Sequence, residues 1–511
     1  MPVMLRRVGP LMIAMLALGL RILPTPRTID DAFITFRYAR NILSGAGFVY
    51  NGGERVLGTT TPLYTLLLAS LAGVSGSAHY PWLALLVNAL ADAVTCWLLV
   101  RLSEKLSGQY AVGLMAALLW AVSPMSVTFA IGGMETSVFI FLLILSADLY
   151  LSGRTRWAAF VGALLLLTRP DGVLWVGPLI LDSVIRGLRA RRWPLAEAGI
   201  FLLTLAPWVI FATLYFGSPV PHSIAAKALA YRLGPETALV RLIQHYGTPF
   251  FEHEVFGLGW TFPGFIFYAT LTAIAGLAVV RRHTRAWPMV FYPWLYFVVF
   301  SAANPLIFRW YLAPPLPFYF LLSLCGLAKL AADASTLLAR NARNLTRLTM
   351  TGYLLPAIGC LTFSLNAWVV RPDHGPASPA PDMAWHQLEL LYEDVGRDLA
   401  AQGVTSQTVV AAGDVGALGF YSNARILDTV GLMSPEASAY YPLDPALYVI
   451  SYAVPPRLFL DYRPDYVVLL EVYGRAGLFK DERFLSAYAL ARKIETDIYG
   501  SDGLVVWKLN P

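Results

Sequence analysis

Apolar residues fall in long runs over roughly the first 370 positions and in short alternating or helical-period patches after them. A helix needs about 20 mostly apolar residues to cross a bilayer. Runs near 8–24, 81–100, 111–130, 137–151, 157–168, 172–185, 195–216, 261–280, 287–303, 307–330 and 348–370 approach that length, about eleven in all. Pro62–Val74 is apolar but short and reads as a helix lying at the interface. The basic loops set the orientation. With the N-terminus inside, the inside loops hold Arg6 and Arg7; Arg101 and Lys105; Arg154 and Arg156; Arg186, Arg189, Arg191 and Arg192; Arg281, Arg282 and Arg285; and Arg340, Arg343 and Arg347. Counting Pro62–Val74 as a span would invert every later loop and lose this agreement. The outside segments are then 25–61, 131–136, 169–171, 217–260, 304–306 and everything after 370.

A Pro-rich linker, Pro372 to Pro381, opens the tail. Trp385–Gln402 reads as a helix and Thr408–Ala412 as a strand. Gly413-Asp414-Val415-Gly416 is a turn that starts a second helix. Ile426–Thr429, Tyr466–Leu470 and Leu504–Leu509 read as further strands. The expected fold class is mainly α: a polytopic membrane domain over 1–371, followed by a soluble extracytoplasmic α/β domain over 372–511.

Composition agrees with that division. Apolar residues make up 57% and charged residues 14%, against about 25% charged in soluble proteins. This excludes a disordered chain, a fibrous repeat and a single soluble domain. Residues 1–372 carry a net charge of +14, and residues 373–511 a net charge of −8. The excess base sits in short loops, where it sets topology and is no nucleic-acid signal. Cys96, Cys325 and Cys360 lie far apart in apolar runs, with no metal or redox spacing. There is no P-loop, Rossmann fingerprint or His-Glu-x-x-His.

The unusual residues are on the outside. Asp30-Asp31 follows the first span directly. Paired carboxylates at a membrane edge are costly to desolvate, so they are either solvated helix caps or a general base or metal ligand facing a cleft. Arg169, Lys227 and Arg309 lie at outer helix ends, against the topology bias; they contact headgroups or hold an anion. Glu135 and Asp171 either face the same cleft or cap helix ends. Glu252-His253-Glu254, with Asp30, is a weak candidate for a divalent cation. Asp92 and Asp148, inside spans, are expected to pair with Arg101 and Arg154.

The first loop runs Asp30-Asp31-Ala32, Arg37-Tyr38-Ala39, Gly45-Ala46-Gly47, Tyr50-Asn51 and Pro62-Leu63-Tyr64. This pattern resembles the first outer loop of GT-C glycosyltransferases, polytopic enzymes that use polyprenyl-phosphate sugars. The nearest resemblance is to the bacterial branch that includes the mycobacterial terminal arabinofuranosyltransferases. It extends to Gly133-Met134-Glu135-Thr136, Thr168-Arg169-Pro170-Asp171-Gly172, Tyr215-Phe216-Gly217, Pro219 to Lys227, Arg309-Trp310-Tyr311 and Gly413-Asp414-Val415-Gly416. His222 departs from the pattern, standing where relatives often have Asn. The resemblance implies Asp30 as the catalytic carboxylate with Asp31 beside it, and Arg169, Lys227 and Arg309 on the donor phosphate. Glu135, Asp171 and His222 are further cleft residues. It implies a polyprenyl-phosphate sugar donor, an arabinofuranosyl or mannosyl group, and an extracytoplasmic glycan, lipid or protein acceptor. A divalent cation is left open. The expected setting is the plasma (inner) membrane among its lipids, with the N-terminus cytoplasmic and no nucleic acid as partner. A flippase or transporter for lipid-linked sugar, or a non-catalytic envelope protein, is the alternative. Polar groups gathered at one face, with no internal repeat, favour the transferase.

Overall fold

The computed structural model describes residues 3–250, 257–303, 307–338 and 342–511. All eleven expected apolar segments are helical. Five helices are long and apolar enough to cross a bilayer: Tyr80–Ser107, Leu195–Phe216, Gly259–Arg282, Arg309–Leu338 and Asn344–Asn366. Tyr110–Val122 and Pro124–Ile131, bent by 48°, make a sixth if taken together. The chain is thus a multi-pass membrane protein, but about eleven spans is more than length and composition bear out. Thr136–Leu151, Thr155–Thr168 and Trp287–Ala303 have 16, 14 and 17 residues, and Val173–Ala190 ends in Arg186 and Arg189. Pro62–Ser75 is a short helix, as expected.

Packing divides the chain into two compact units. One comprises residues 1–27, 84–205 and 235–384; the other comprises 28–83, 206–234 and 385–511.

In the first unit, the bend at Pro124 has a chemical cause and a chemical remedy. Proline lacks the N–H that would bond the carbonyl of Trp120. Arg21 supplies donors instead, to the Trp120 carbonyl at 3.4 Å, the Ala121 carbonyl at 2.6 Å and Ser126 Oγ at 2.5 Å. Its Nε meets Asp92 Oδ2 at 2.9 Å, with both side chains fully buried. Trp120 Nε1 and Ser137 Oγ also donate to Asp92, at 3.2 and 3.0 Å. The expected Asp92–Arg101 pair is therefore corrected. Nine residues apart on one helix, the two stand about 13 Å apart along the axis. Asp148 pairs with Lys105 at 2.5 Å and Arg101 at 3.2 Å, not with Arg154. The Pro-rich linker is tied down: β1 (Trp368–Val369) pairs antiparallel with β2 (Ala380–Pro381). Arg27 donates to the carbonyls of Pro376, Ser378 and Ala384.

The second unit is built on a five-stranded sheet. Its strands are β3 (Val409–Ala412), β4 (Arg425–Asp428), β5 (Tyr466–Leu470), β6 (Tyr488–Ile494) and β7 (Leu504–Leu509), in the order β4-β3-β5-β7-β6. β3 runs parallel to β4 and β5; β7 runs antiparallel to β5 and β6. Every residue of central β5 is buried, as its uninterrupted apolar run requires. Edge strand β6, mostly exposed and carrying Arg492 and Lys493, was not anticipated. Charges protect such an edge and also hide it from an apolar pattern. Helix Gln387–Ala401 buries Tyr392, Val395, Gly396 and Leu399 along one stripe.

Candidate active site

The paired carboxylates open helix Asp30–Leu43. They do not cap their own helix; Asp30 caps a helix nearly 400 positions further on. Its Oδ2 accepts the Gly416 N–H and its Oδ1 the Ala417 N–H, each at 2.8 Å. These are the first N–H groups of helix Gly416–Ser422, which would otherwise lack partners. At the other end, Arg37 donates to the carbonyls of Gly419 at 2.8 Å and Ala424 at 2.6 Å. Arg40 donates to the Phe420 carbonyl at 2.9 Å and to Asn423 Oδ1 at 2.8 Å. Asp30 and Arg37 are seven residues apart, about 10 Å along their helix, which matches the seven-residue helix they grip. Carboxylate at the positive end and guanidinium at the negative end complement its dipole.

The contact is close because the tail helix offers glycines. A Cβ on Gly416 would overlap the Asp30 carbonyl, and one on Gly419 would overlap the Tyr50 hydroxyl. Tyr50 donates to the Val415 carbonyl at 2.6 Å. Asn51 pairs with both backbone groups of Ile426 in β4, at 2.9 and 3.0 Å, as another strand would.

Asp31 has a different environment. Its carboxylate is 29% exposed and lies 3.3 Å from Lys227 Nζ, itself 24% exposed. Lys227 belongs to helix His222–Ala230. That helix is held at one end by His222 N–H on the Leu57 carbonyl at 2.9 Å. At the other, Tyr231 bridges to Tyr452 and the Arg232 N–H donates to the Ser451 carbonyl at 2.8 Å. His222 Nε2 is buried with no hydrogen-bond partner among the described residues. Its backbone anchors the helix, and its imidazole is not brought onto the carboxylates by any described bond.

Two further acids join the pair. Asp414 Oδ2 accepts the hydroxyls of Tyr392 at 2.9 Å and Tyr473 at 3.2 Å. Glu389 Oε1 accepts the Asp30 N–H at 3.2 Å. Burial raises the proton affinity of Asp30 and the Asp414 charge adds to it, while the Ala417 and Gly416 N–H groups oppose the rise. Asp414 is raised by burial, against its two tyrosines. Burial pushes Glu389 up to about 8, with Asp30 and Asp414 contributing. Sequence reasoning missed Glu389, Tyr392 and Tyr473, which look like ordinary helix residues. Asp414 stood in a noted motif but had been given no role.

The other expected site residues lie in the first unit. Arg169 is buried between Glu135, at 3.2 Å, and Asp171, at 2.9 Å. Tyr296 donates to Asp171 at 3.2 Å, and the guanidinium lies over the Phe139 and Tyr311 rings. One cation between two carboxylates leaves a net negative cluster. Arg309 is exposed and makes no hydrogen bond or ion pair among the described residues. It stands near Arg241, whose proton affinity is lowered by burial and by the Arg309 charge. Glu252, His253 and Glu254 lie outside the described residues. Among the described residues, no three His, Cys, Asp or Glu side chains gather as metal ligands would.

A family model described as a domain of unknown function (DUF8728) matches residues 381–507. A terminal beta-(1->2)-arabinofuranosyltransferase of Mycobacterium tuberculosis is 31% identical over 221 residues, 39% of this chain and 35% of that protein. One of Corynebacterium glutamicum is 30% identical over 232 residues, 39% of this chain and 33% of that protein. The chain thus spans about a third of the length of the curated relatives it matches. The crystal structure of ArnT from Cupriavidus metallidurans bound to undecaprenyl phosphate is similar with a TM-score of 0.56. At 14% identity, that match covers 99% of this chain and 97% of ArnT. The likeness is one of fold: this chain shares the architecture of ArnT.

Proposed function

We propose that the protein is a membrane glycosyltransferase that moves a sugar from a polyprenyl-phosphate donor to an extracytoplasmic acceptor. Arabinofuranose is the favoured sugar, because both matched relatives transfer it. ArnT in complex with undecaprenyl phosphate supports a polyprenyl-phosphate donor. In this reading the N-terminus is cytoplasmic, 1–371 is the membrane domain of the plasma membrane, and 372–511 lies outside.

The observation that carries the proposal is a partly open carboxylate, Asp31, 3.3 Å from the Lys227 ammonium. The acceptor hydroxyl gives its proton to Asp31 as its oxygen bonds to the anomeric carbon. The bond from that carbon to the phosphate oxygen breaks, and the electron pair leaves on the lipid phosphate. Lys227 answers the charge on that phosphate. Asp30 shares the acid–base work through its neighbour and fixes the position of the pair. This shifts the proton-accepting role from Asp30, as the resemblance implied, to Asp31. Both Asp30 oxygens already hold backbone N–H groups.

Arg309, an exposed cation of the first unit, is assigned separately to contact with anionic lipid headgroups. Arg169 is not placed on the donor phosphate, because its two carboxylates repel an anion. Purified protein given radiolabelled polyprenyl-phosphate arabinofuranose and an arabinan acceptor tests the proposal. Release of polyprenyl phosphate together with label in the acceptor supports it. Intact donor moved across a vesicle membrane contradicts it.

A further inference from the structure

The tail looks separable: a charged α/β segment behind a Pro-rich linker, most of it matched by a family of no stated function. Its contacts with the first loop argue otherwise. Helix Gly416–Ser422 is held at its N-terminal end by Asp30 and at its C-terminal end by Arg37 and Arg40. Arg37 is 4% exposed and also reaches Asn51 Oδ1 at 3.3 Å. Its two terminal nitrogens thus go to the tail helix and to the residue that pairs with β4, while Nε is buried without a hydrogen-bond partner among the described residues. A buried guanidinium is costly unless its donors are used, and here the tail supplies the acceptors.

We infer that the tail is a working part of the acid–base site, and that Arg37 is a positioning residue which acts on Asp30 through helix Gly416–Ser422. The inference rests on the transferase reading of the Asp30–Asp31 pair. Arg37 touches neither carboxylate by any described bond. It fixes the axial position of the tail helix, and so the position of the two N–H groups at Asp30. Asp31 is the next residue, so the direction of its carboxylate toward Lys227 follows. The groups facing the pair are Asp414, Glu389, Tyr50, Tyr392, Tyr231 and Lys227. Of these only Lys227 is cationic, so the Gly416 and Ala417 N–H groups are the main support for an ionised Asp30. Withdrawing them raises the proton affinity of Asp30 further.

Arg37→Lys keeps the charge and loses the fork that spans the helix end. In the full-length protein we expect kcat to fall about 10- to 100-fold, with KM for the donor within about twofold. The acid limb of kcat/KM, which belongs to the carboxylate pair, should move to higher pH. Amide exchange at 413–424 should quicken in the same variant, a readout that needs no activity. If Arg37→Lys does not fold, Arg40→Gln, a partly exposed group on the same helix end, should move each quantity in the same direction by less. Unchanged kcat and acid limb overturn the inference. So does a loss of folded protein whose remaining activity keeps the wild-type acid limb. Quickened exchange alongside a wild-type protein that releases no polyprenyl phosphate sinks the transferase reading instead. The positioning role goes with it, leaving the clamp as structure.

Discussion

Replacing Asp30 by Asn separates its structural role from that of Asp31. The Asp30 carboxylate accepts two backbone N–H groups, each at 2.8 Å. An Asn side chain has one acceptor oxygen, so its NH₂ must face the Gly416 or Ala417 N–H, donor against donor. Losing one hydrogen bond to a charged group costs about 1.5–3 kcal/mol. Losing a negative charge at a helix N-terminus costs a further ~0.3–1 kcal/mol. Together about 2–4 kcal/mol of the local attachment of helix Gly416–Ser422 should be lost, even though ionising this buried carboxyl costs the unit as a whole stability. The comparison belongs near pH 9, above the raised titration of this carboxyl, where it is ionised. Hydrogen exchange of 413–424 in the full-length protein reads the loss. Where exchange follows local opening, that energy means roughly 30- to 1,000-fold faster exchange. Asp31→Asn breaks a partly exposed ion pair worth ~0–1 kcal/mol and should leave the segment protected. Wild-type exchange in Asp30→Asn, or a larger effect from Asp31→Asn, would refute the capping account.

Three further outcomes are expected. The second unit should lose stability as pH rises: Glu389 goes from about 4.3 unfolded to about 8 folded, and Asp428 is pushed up to about 6 by burial. Asp30 and Asp414 shift the same way, so their contribution is full below about pH 4 and is lost by about pH 8; thermal melts across that window check it, and a Tm that rises with pH would contradict it. Arg21→Ala should destabilise the first unit by about 3–5 kcal/mol, because Asp92 is left buried without its cation; denaturation in detergent measures this. Lys227→Ala should weaken donor binding about 10-fold with the fold intact, whereas Arg169→Ala should reduce folded yield; donor titration and size-exclusion profiles distinguish the two.

The membrane helices were legible because lipid demands long apolar runs, and all eleven segments are indeed helical. Which of them are spans was less legible, since several are shorter than the 18 residues that the five candidate spans exceed. Four of the five sheet strands were legible, and charged β6 was not. Pairings across the chain were the least legible part. Arg21 and Asp92 lie 71 positions apart and Asp30 and Gly416 lie 386 apart; no local pattern encodes such distances. The first-loop motif singled out Asp30 and Asp31, yet much of it grips the tail: Arg37, Arg40, Tyr50 and Asn51 all bond to residues 415–426. Helix capping and catalysis, weighed as rivals for the acidic pair, divide between its two members in the present account.

The most direct test of that account follows single turnover of radiolabelled polyprenyl-phosphate arabinofuranose by full-length protein in nanodiscs, comparing wild type with Asp31→Asn. The account predicts that wild type releases polyprenyl phosphate and labelled acceptor in equal amounts. Asp31→Asn, with wild-type melting and undiminished donor binding, should be slower by about 10²–10⁴-fold. Wild-type turnover by Asp31→Asn would contradict the role given to this carboxylate, and a wild-type protein that leaves the donor intact would contradict the transferase itself.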